Sequence, residues 1–532
     1  MLKNNILRFL PIVALVLAAP IATAQDMSTE VVVDRTVDTS LPAASPLKSV
    51  TPALLAAPAP DFSLPAADYS EYVDYKPIVD YSRPPVYTGL AEPDTLPGYV
   101  WAGYFPAYNA AAQVGYRIVN TAATQAGASV GFEGYTYKDK FSDHTVRSNL
   151  LRASLYGSHM FSNGYVLSAD ADFAHNPTKL PFARRTMNYG NAGAMLARYT
   201  SGVRLDAWLR YGFINSNFSE SPSHRHISQQ LTSFGVNVLS RLDSLLWGGA
   251  DFGAKYLDGP DSEWLVTLTP RLAYRKDNVE FNIGVRMDFG ISVPGSGFHV
   301  APDVSARWNI APVAGLYLRA TGGTRLNTVA RLYAYSPFAV EESAFAPSHS
   351  PYNVKAGVRL GDFGGFSADI FAGYARMNNM LLPAYTGVRY ACTQSDVKGW
   401  ILGAELKYKR NELLDASLRL STGPDNITDD DLPYFDRPKF TLDARADLHI
   451  CREWSAGLRY TLRSGRRYLD MVSTRNQSLG DACELELHGT WKLCSNLSLF
   501  ASIDNVLNSR PQIIPGLSGP GVRGLLGLDF RF

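Results

Sequence analysis

Apolar and polar residues alternate with a period of two over most of the chain beyond Pro97. In the closing stretch "GVRGLLGLDFRF", Val522, Gly524, Leu526, Leu528, Phe530 and Phe532 share one parity, and Arg523, Leu525, Gly527, Asp529 and Arg531 the other. The pattern recurs in "FNIGVRMDF" (281–289), "TLDARADLHI" (441–450), "VLSADADF" (166–173) and "ILGAELKYK" (401–409). A period of two puts successive side chains on opposite faces of a strand. The apolar faces are small or modest residues: Ala, Gly, Val and Leu. A wall that faces lipid tolerates this, because it needs no interlocking second sheet. No linker interrupts the 435 residues after Pro97.

The connections supply an independent test. Counted back from Phe532, short turns ("KLCSNL", "CREW", "KRNEL", "GDFGG", "IAPVAG") alternate with longer ones. The longer ones include "RSGRRYLDMVSTRNQSLGD", "STGPDNITDDDLPYFDRP", "MNNMLLPAYTGVRYACTQSDVKG" and "NSNFSESPSHR". Short turns at one end and long loops at the other are the habit of an outer-membrane barrel. Continued to Pro97, the alternation predicts an all-β fold, a transmembrane antiparallel β-barrel of about 22 strands spanning 98–532. Its last strand closes the cylinder, and Phe530 and Phe532 form the barrel-closing C-terminal signal.

The first 24 residues predict an export signal: Lys3 and Arg8, then the apolar run "FLPIVALVLAA", then small residues ahead of Gln25. Residues 25–97 have a different texture, rich in Pro, Ala and Tyr and without helical periodicity. Such a leader is either an unpaired periplasmic segment or an extended one docked in a barrel. In the second case Tyr69, Tyr72, Tyr75 and Tyr81 contact the lumen.

Charge and chemistry narrow the function. The 532-residue chain carries a net charge of only +1, which gives no footprint for nucleic acid. HExxH and P-loop motifs are absent, so no enzyme, cofactor or resident metal is expected. His224 and His226 fall near an expected loop, as do Asp425 and Asp429–Asp431; solvated positions are the default for both groups. The four cysteines, Cys392, Cys451, Cys483 and Cys494, leave three pairings open. On the strand faces opposite the apolar ones, Arg286, Asp288, Arg319, Glu405, Lys407, Asp443, Arg445 and Asp447 mix both signs, which suits cross-strand bracing.

The final third resembles a known family. "GWILGAELKYKRN", "LPYFDRPKFTLDARADL", "WSAGLRYTLRSGRRY" and above all the "DNVLN…PG…GR…G…F" closure (504–508, 521–532) are similar to the C-terminal strands of TonB-dependent receptors. The resemblance implies a 22-strand barrel. It departs from the family at the N-terminus, where about 73 residues without the plug motifs stand in for a full plug domain. In that the chain resembles a plugless subset from Bacteroidetes. "EVVVD" (Glu30, Val31, Val32, Val33, Asp34) resembles a TonB box, a short strand lent to TonB by β-augmentation. The implied location is the Gram-negative outer membrane. The implied partners are its lipid, the β-barrel assembly machinery, and TonB or a surface or periplasmic lipoprotein. Two functions follow: uptake or passage of a nutrient, or a non-transporting barrel that scaffolds lipoprotein partners.

Overall fold

The computed structural model describes residues 96–532, apart from 107, 122, 201, 221–222, 260–261, 292–296, 312, 331–344, 386–389, 411–412, 423–425, 428–437 and 471–474. The signal, the leader, the "EVVVD" stretch and the four leader tyrosines lie outside the described residues, as do Asp425 and Asp429–Asp431.

Twenty-two antiparallel strands make the wall. The first eleven are β1 (Gly98–Phe105), β2 (Asn109–Asn120), β3 (Thr124–Lys138), β4 (Thr145–Met160), β5 (Tyr165–Lys179), β6 (Arg184–Tyr199), β7 (Val203–Glu220), β8 (Ser223–Arg241), β9 (Leu246–Asp258), β10 (Glu263–Lys276) and β11 (Val279–Ile291). The rest are β12 (Gly297–Ala311), β13 (Ala314–Arg325), β14 (Ser348–Phe363), β15 (Phe366–Tyr385), β16 (Tyr390–Arg410), β17 (Leu414–Thr422), β18 (Phe440–His449), β19 (Trp454–Ser464), β20 (Ala482–Lys492), β21 (Leu497–Asp504) and β22 (Arg523–Arg531). Each pairs with its neighbours in sequence, and β22 returns to β1 along Tyr99↔Arg531 to Tyr104↔Leu526. The Gly98 and Phe532 amides donate to each other's carbonyls at 2.8 and 2.9 Å. A closed cylinder leaves no strand edge, the condition for backbone to cross lipid.

The alternation sorts as its chemistry requires. Leu526, Leu528, Phe530, Ile283 and Val285 face outward and are exposed. Aromatic residues collect outside at both ends: Tyr116, Trp308, Trp454, Trp491 and Phe532 at the end with the termini, Phe105, Trp264, Phe289 and Phe298 at the other. Two such girdles bracket the lipid-facing band of an outer-membrane barrel. The end with the termini and short turns is the periplasmic one.

Inside, the mixed charges pair. Arg286 meets Asp288 at 3.0 Å, Lys407 meets Glu405 at 2.8 Å and Arg445 meets Asp447 at 2.6 Å. His488 also reaches Asp447 at 2.9 Å, and Arg459 lies 3.7 Å from Asp443. The first three pairs lie two residues apart on one strand, while Arg459–Asp443 and His488–Asp447 join different strands and brace the wall.

Two expectations need revision. Several segments read as long loops are strand: "NSNFSESPSHR" belongs to β7 and β8, and most of "MNNMLLPAYTGVRYACTQSDVKG" to β15 and β16. A tilted strand of 18–21 residues overshoots the ~25 Å apolar band, and beyond it both faces are polar, so the alternation fades while the ladder continues. His226 accordingly sits in a strand, its Nδ1 2.7 Å from Asn217 Oδ1. Cys451, Cys483 and Cys494 are free thiols.

Candidate functional site: the extracellular mouth and the lumen beneath it

The connection between β21 and β22 does not project into solvent. "DNVLN" builds its base. Asn505, at φ 52°, donates from Nδ2 to the carbonyls of Ser509 (2.6 Å) and Pro520 (3.0 Å), and its Oδ1 accepts from the Ser509 amide. Asp504 pairs with Arg523 at 3.1 Å. Between these clamps, Gln512–Ile514 and Leu517–Ser518 form a small hairpin. Pro515–Gly516 makes its tip, with Gly516 at φ 78° as a type II turn requires at that position.

This hairpin lies across the mouth. Ile514 and Leu517 pack with Val146 of β4 and Leu180, and the cluster gathers Tyr137, Tyr385 and Tyr468 around it. Strands β4 and β15 stand eleven apart in a cylinder of 22, so the cluster joins opposite sides. Polar bonds fix one flank. The Ser518 amide donates to Asp139 Oδ1 at 2.7 Å, Ser518 Oγ donates to the same atom at 2.9 Å, and Tyr137 Oη donates to the Ser518 carbonyl at 2.9 Å. On the other flank the fully buried Arg466 donates to the Gln512 carbonyl at 2.5 Å.

A second segment enters after β13. Val329 packs on Ile214 of β7 with Ile227, Met187, Tyr189 and Phe345 around it, and Leu326 packs on Leu257 and Leu265. The Val329 amide donates to Gln229 Oε1 at 2.7 Å. Gln394 holds the returning strand by both ends of its amide, donating to the Ala346 carbonyl (2.6 Å) and accepting from the Ala346 amide (3.0 Å). The root is tied to the wall: the Thr324 amide donates to Asp288 Oδ2 at 2.5 Å, and Arg286 Nη2 donates to the Thr324 carbonyl at 3.2 Å. Gly323, at φ 136°, passes over Arg286 where a Cβ would strike the guanidinium. Replacing Asp288 with alanine removes the amide acceptor and leaves the Arg286 charge without its carboxylate. A loss of about 3 kcal/mol in local stability is expected, read as faster proteolysis within 326–347 and no change in the barrel's heat-modifiability on gels.

Both segments are apolar stretches in extracellular connections. That was the legible signal for them: "QIIPGLS" in water would expose Ile513, Ile514 and Leu517, so it had to find cover. Asp139, Ser518 and Gln229 carried no local signature, because the partners that matter here are 100 to 379 positions away; parity put Asp288 in the lumen but not against Thr324, 36 positions on. Among the described residues no group of three or more His, Cys, Asp or Glu is placed to hold a metal ion.

Asp139 lies in the β3–β4 connection, outside the spanning strands. Burial works to raise its pKa, but hydrogen bonds from Ser142 and Ser518 outweigh it and hold the carboxyl below its ordinary 3.8.

Solved structures share this architecture at low identity. The FrpB iron transporter from Neisseria meningitidis matches with a TM-score of 0.65 at 12% identity, covering 84% of this chain and 82% of that one. The pyoverdine receptor FpvA from Pseudomonas aeruginosa PAO1 matches at 0.64 and 10%, covering 82% and 78%. The copper transporter OprC matches at 0.62 and 12%, covering 82% and 80%. No curated protein matches the sequence. The family described as "TonB dependent receptor-like, beta-barrel" matches residues 61–506. With that match, the closed 22-strand wall and its girdles, the chain belongs to the TonB-dependent receptor-like β-barrel family and resides in the outer membrane of a Gram-negative cell.

Proposed function

We propose that this barrel is a gated passage that takes a nutrient solute across the outer membrane, with the two inward-folded segments as its gate. The observation that carries the reading is the hairpin at 512–518: it spans the mouth, yet is held by a small apolar cluster and a few hydrogen bonds rather than by the wall's ladder. Such an element opens without disturbing the cylinder. The similar solved barrels include an iron transporter, a copper transporter and a pyoverdine receptor, so a metal or metal chelate is the first substrate class to test. In this account Glu30, Val31, Val32, Val33 and Asp34 add a strand to TonB, Tyr69, Tyr72, Tyr75 and Tyr81 face the lumen, and Phe530 and Phe532 are read by the insertion machinery.

The test is growth of a strain lacking the chain on a panel of limiting metals and metal chelates. The reading expects a deficit on at least one source, restored by the wild-type chain and not by Val32→Pro, which removes a strand amide from the TonB-box segment. Equal growth on every source contradicts it and favours a scaffold that holds lipoprotein partners.

A further inference from the structure

Above the membrane, the outer face of β4–β8 is made of cations and amides. Phe173 and Phe213, with ring centroids 6.4 Å apart, end the apolar band on β5 and β7. The same outward parity continues up to Lys179 on β5, Arg184 on β6 and Asn217 on β7. Its top row is basic. Arg147 of β4 stands directly across from Lys179, and Lys179 directly across from Arg184. All three side chains are exposed. Like charges placed opposite one another repel. Above Phe173 the outward positions of β3–β6 hold no carboxylate to relieve them. Asp143, in the β3–β4 connection, lies beside Lys138 at 3.7 Å, and Arg147 rests over the Tyr108 ring at 4.5 Å. The outer face of β15 and β16 shows the ordinary arrangement, with Asp396 3.6 Å from Arg376. A row of cations that oppose only each other calls for an anion from outside the chain.

The positions below that row say what else the ligand carries. Four asparagines are turned outward there, each with its Oδ1 occupied. Asn149 accepts from Tyr108 Oη at 3.0 Å and Asn215 from Ser228 Oγ at 2.7 Å. Asn188 and Asn217 meet His175 and His226 Nδ1, both at 2.7 Å. Their Nδ2 groups remain as donors without a hydrogen-bond partner among the described residues. Cations above and amide donors below complement a ligand rich in oxygen acceptors and negative charge. Height selects its class. Lys179 is six residues up its strand from Phe173, about 15 Å along the membrane normal at a tilt near 40°. A phospholipid headgroup layer is only about 5–8 Å deep, so it reaches the lower asparagines and ends below the basic row. The outer leaflet of a Gram-negative outer membrane is a glycolipid whose headgroup is an oligosaccharide bearing phosphates and carboxylates. That headgroup spans both levels, on a face continuous with the lipid-facing band.

We infer that the outward face of β4–β8 above the girdle binds lipopolysaccharide. The anionic groups of its inner saccharide sit on Arg147, Lys179 and Arg184, and its sugar oxygens accept from the four asparagine amides. The surface lies outside the cylinder and does not depend on what the lumen passes.

The test is native mass spectrometry of the full chain, folded in detergent, freed of co-purified lipid and checked by heat-modifiability. It is titrated with rough lipopolysaccharide that retains its inner-core sugars, and separately with phosphatidylglycerol. EDTA is present so that divalent cations do not bridge anions. The wild-type chain is expected to bind lipopolysaccharide more tightly than phosphatidylglycerol. Lys179→Glu with Arg184→Glu should weaken the lipopolysaccharide complex at least about tenfold and leave phosphatidylglycerol binding unchanged. Lys179→Gln with Arg184→Gln, which removes the cations without adding repulsion, should weaken it less. Arg376→Gln, whose cation already has a carboxylate, should change neither. Lipopolysaccharide binding that is equal in the wild-type chain and both double variants overturns the inference. So does a wild-type chain that binds phosphatidylglycerol as tightly as lipopolysaccharide.

Discussion

Replacing Gly527 with valine is expected to prevent the barrel from closing. Gly527 faces Gly103 across the β22–β1 seam, and both point inward. The Phe500 ring fills the space that the two missing side chains leave, stacked on Trp101 at 4.7 Å and 7°. A Cβ at 527 runs into that ring and into the Ala102 carbonyl oxygen. The ring is the end of a side chain, but the carbonyl belongs to the ladder and cannot move without breaking the seam. Overpacking against backbone costs about 3 kcal/mol or more, and the cost falls on the one pairing that completes the cylinder. The expected result is loss of the heat-modifiable folded band after refolding. Gly489→Ala is the control: its Cβ meets nothing closer than the Ser455 carbonyl at 3.6 Å, and it should fold normally. A folded Gly527→Val band at wild-type yield would contradict the closure described.

The second large effect concerns the hairpin across the mouth. Leu517 is 1% exposed within the Val146–Leu180–Ile514 cluster. Leu517→Asp buries a carboxylate there or expels the hairpin, and expulsion is the cheaper outcome at about 3–5 kcal/mol. The amides of Ser518 and Lys140, which donate to Asp139 Oδ1 and Ser518 Oγ, should lose their protection from hydrogen exchange while wall amides keep theirs. The Asp139 side adds a pH dependence. A carboxyl whose folded pKa is depressed stabilises the latched state above its unfolded pKa and loses that contribution as pH falls through the folded one. With Asp139 held below 3.8, the hairpin is expected to stay latched at neutral and mildly acid pH and to loosen only below about pH 4. Asp139→Asn should weaken the latch at neutral and mildly acid pH, where the wild-type carboxylate is charged, and remove that step. An unchanged pH response in Asp139→Asn would place the acid step elsewhere.

The wall was legible because its physics is local. Lipid outside and water inside impose the period of two on each strand separately, and Arg286, Asp288, Asp443 and Arg445 could be assigned to the lumen from parity alone. Strand number followed from turn spacing. Strand length did not, because β7, β8, β15 and β16 rise beyond the bilayer, where nothing enforces alternation. The gate was nearly silent for another reason. Ser518 meets Asp139 across 379 positions, Val329 meets Gln229 across 100, and no periodicity encodes either pairing. Only the apolar content of "QIIPGLS" hinted that the last connection folds inward.

The most direct measurement of the central claim is single-channel conductance in planar bilayers, made on chains lacking residues 26–90 so that the leader cannot fill the lumen. One chain retains the two inward-folded segments and the other also lacks 328–346 and 511–519. A gated passage predicts a closed or rarely open channel in the first and a large, steady conductance in the second. Equal conductance in both, whether open or closed, would show that these segments do not gate the lumen.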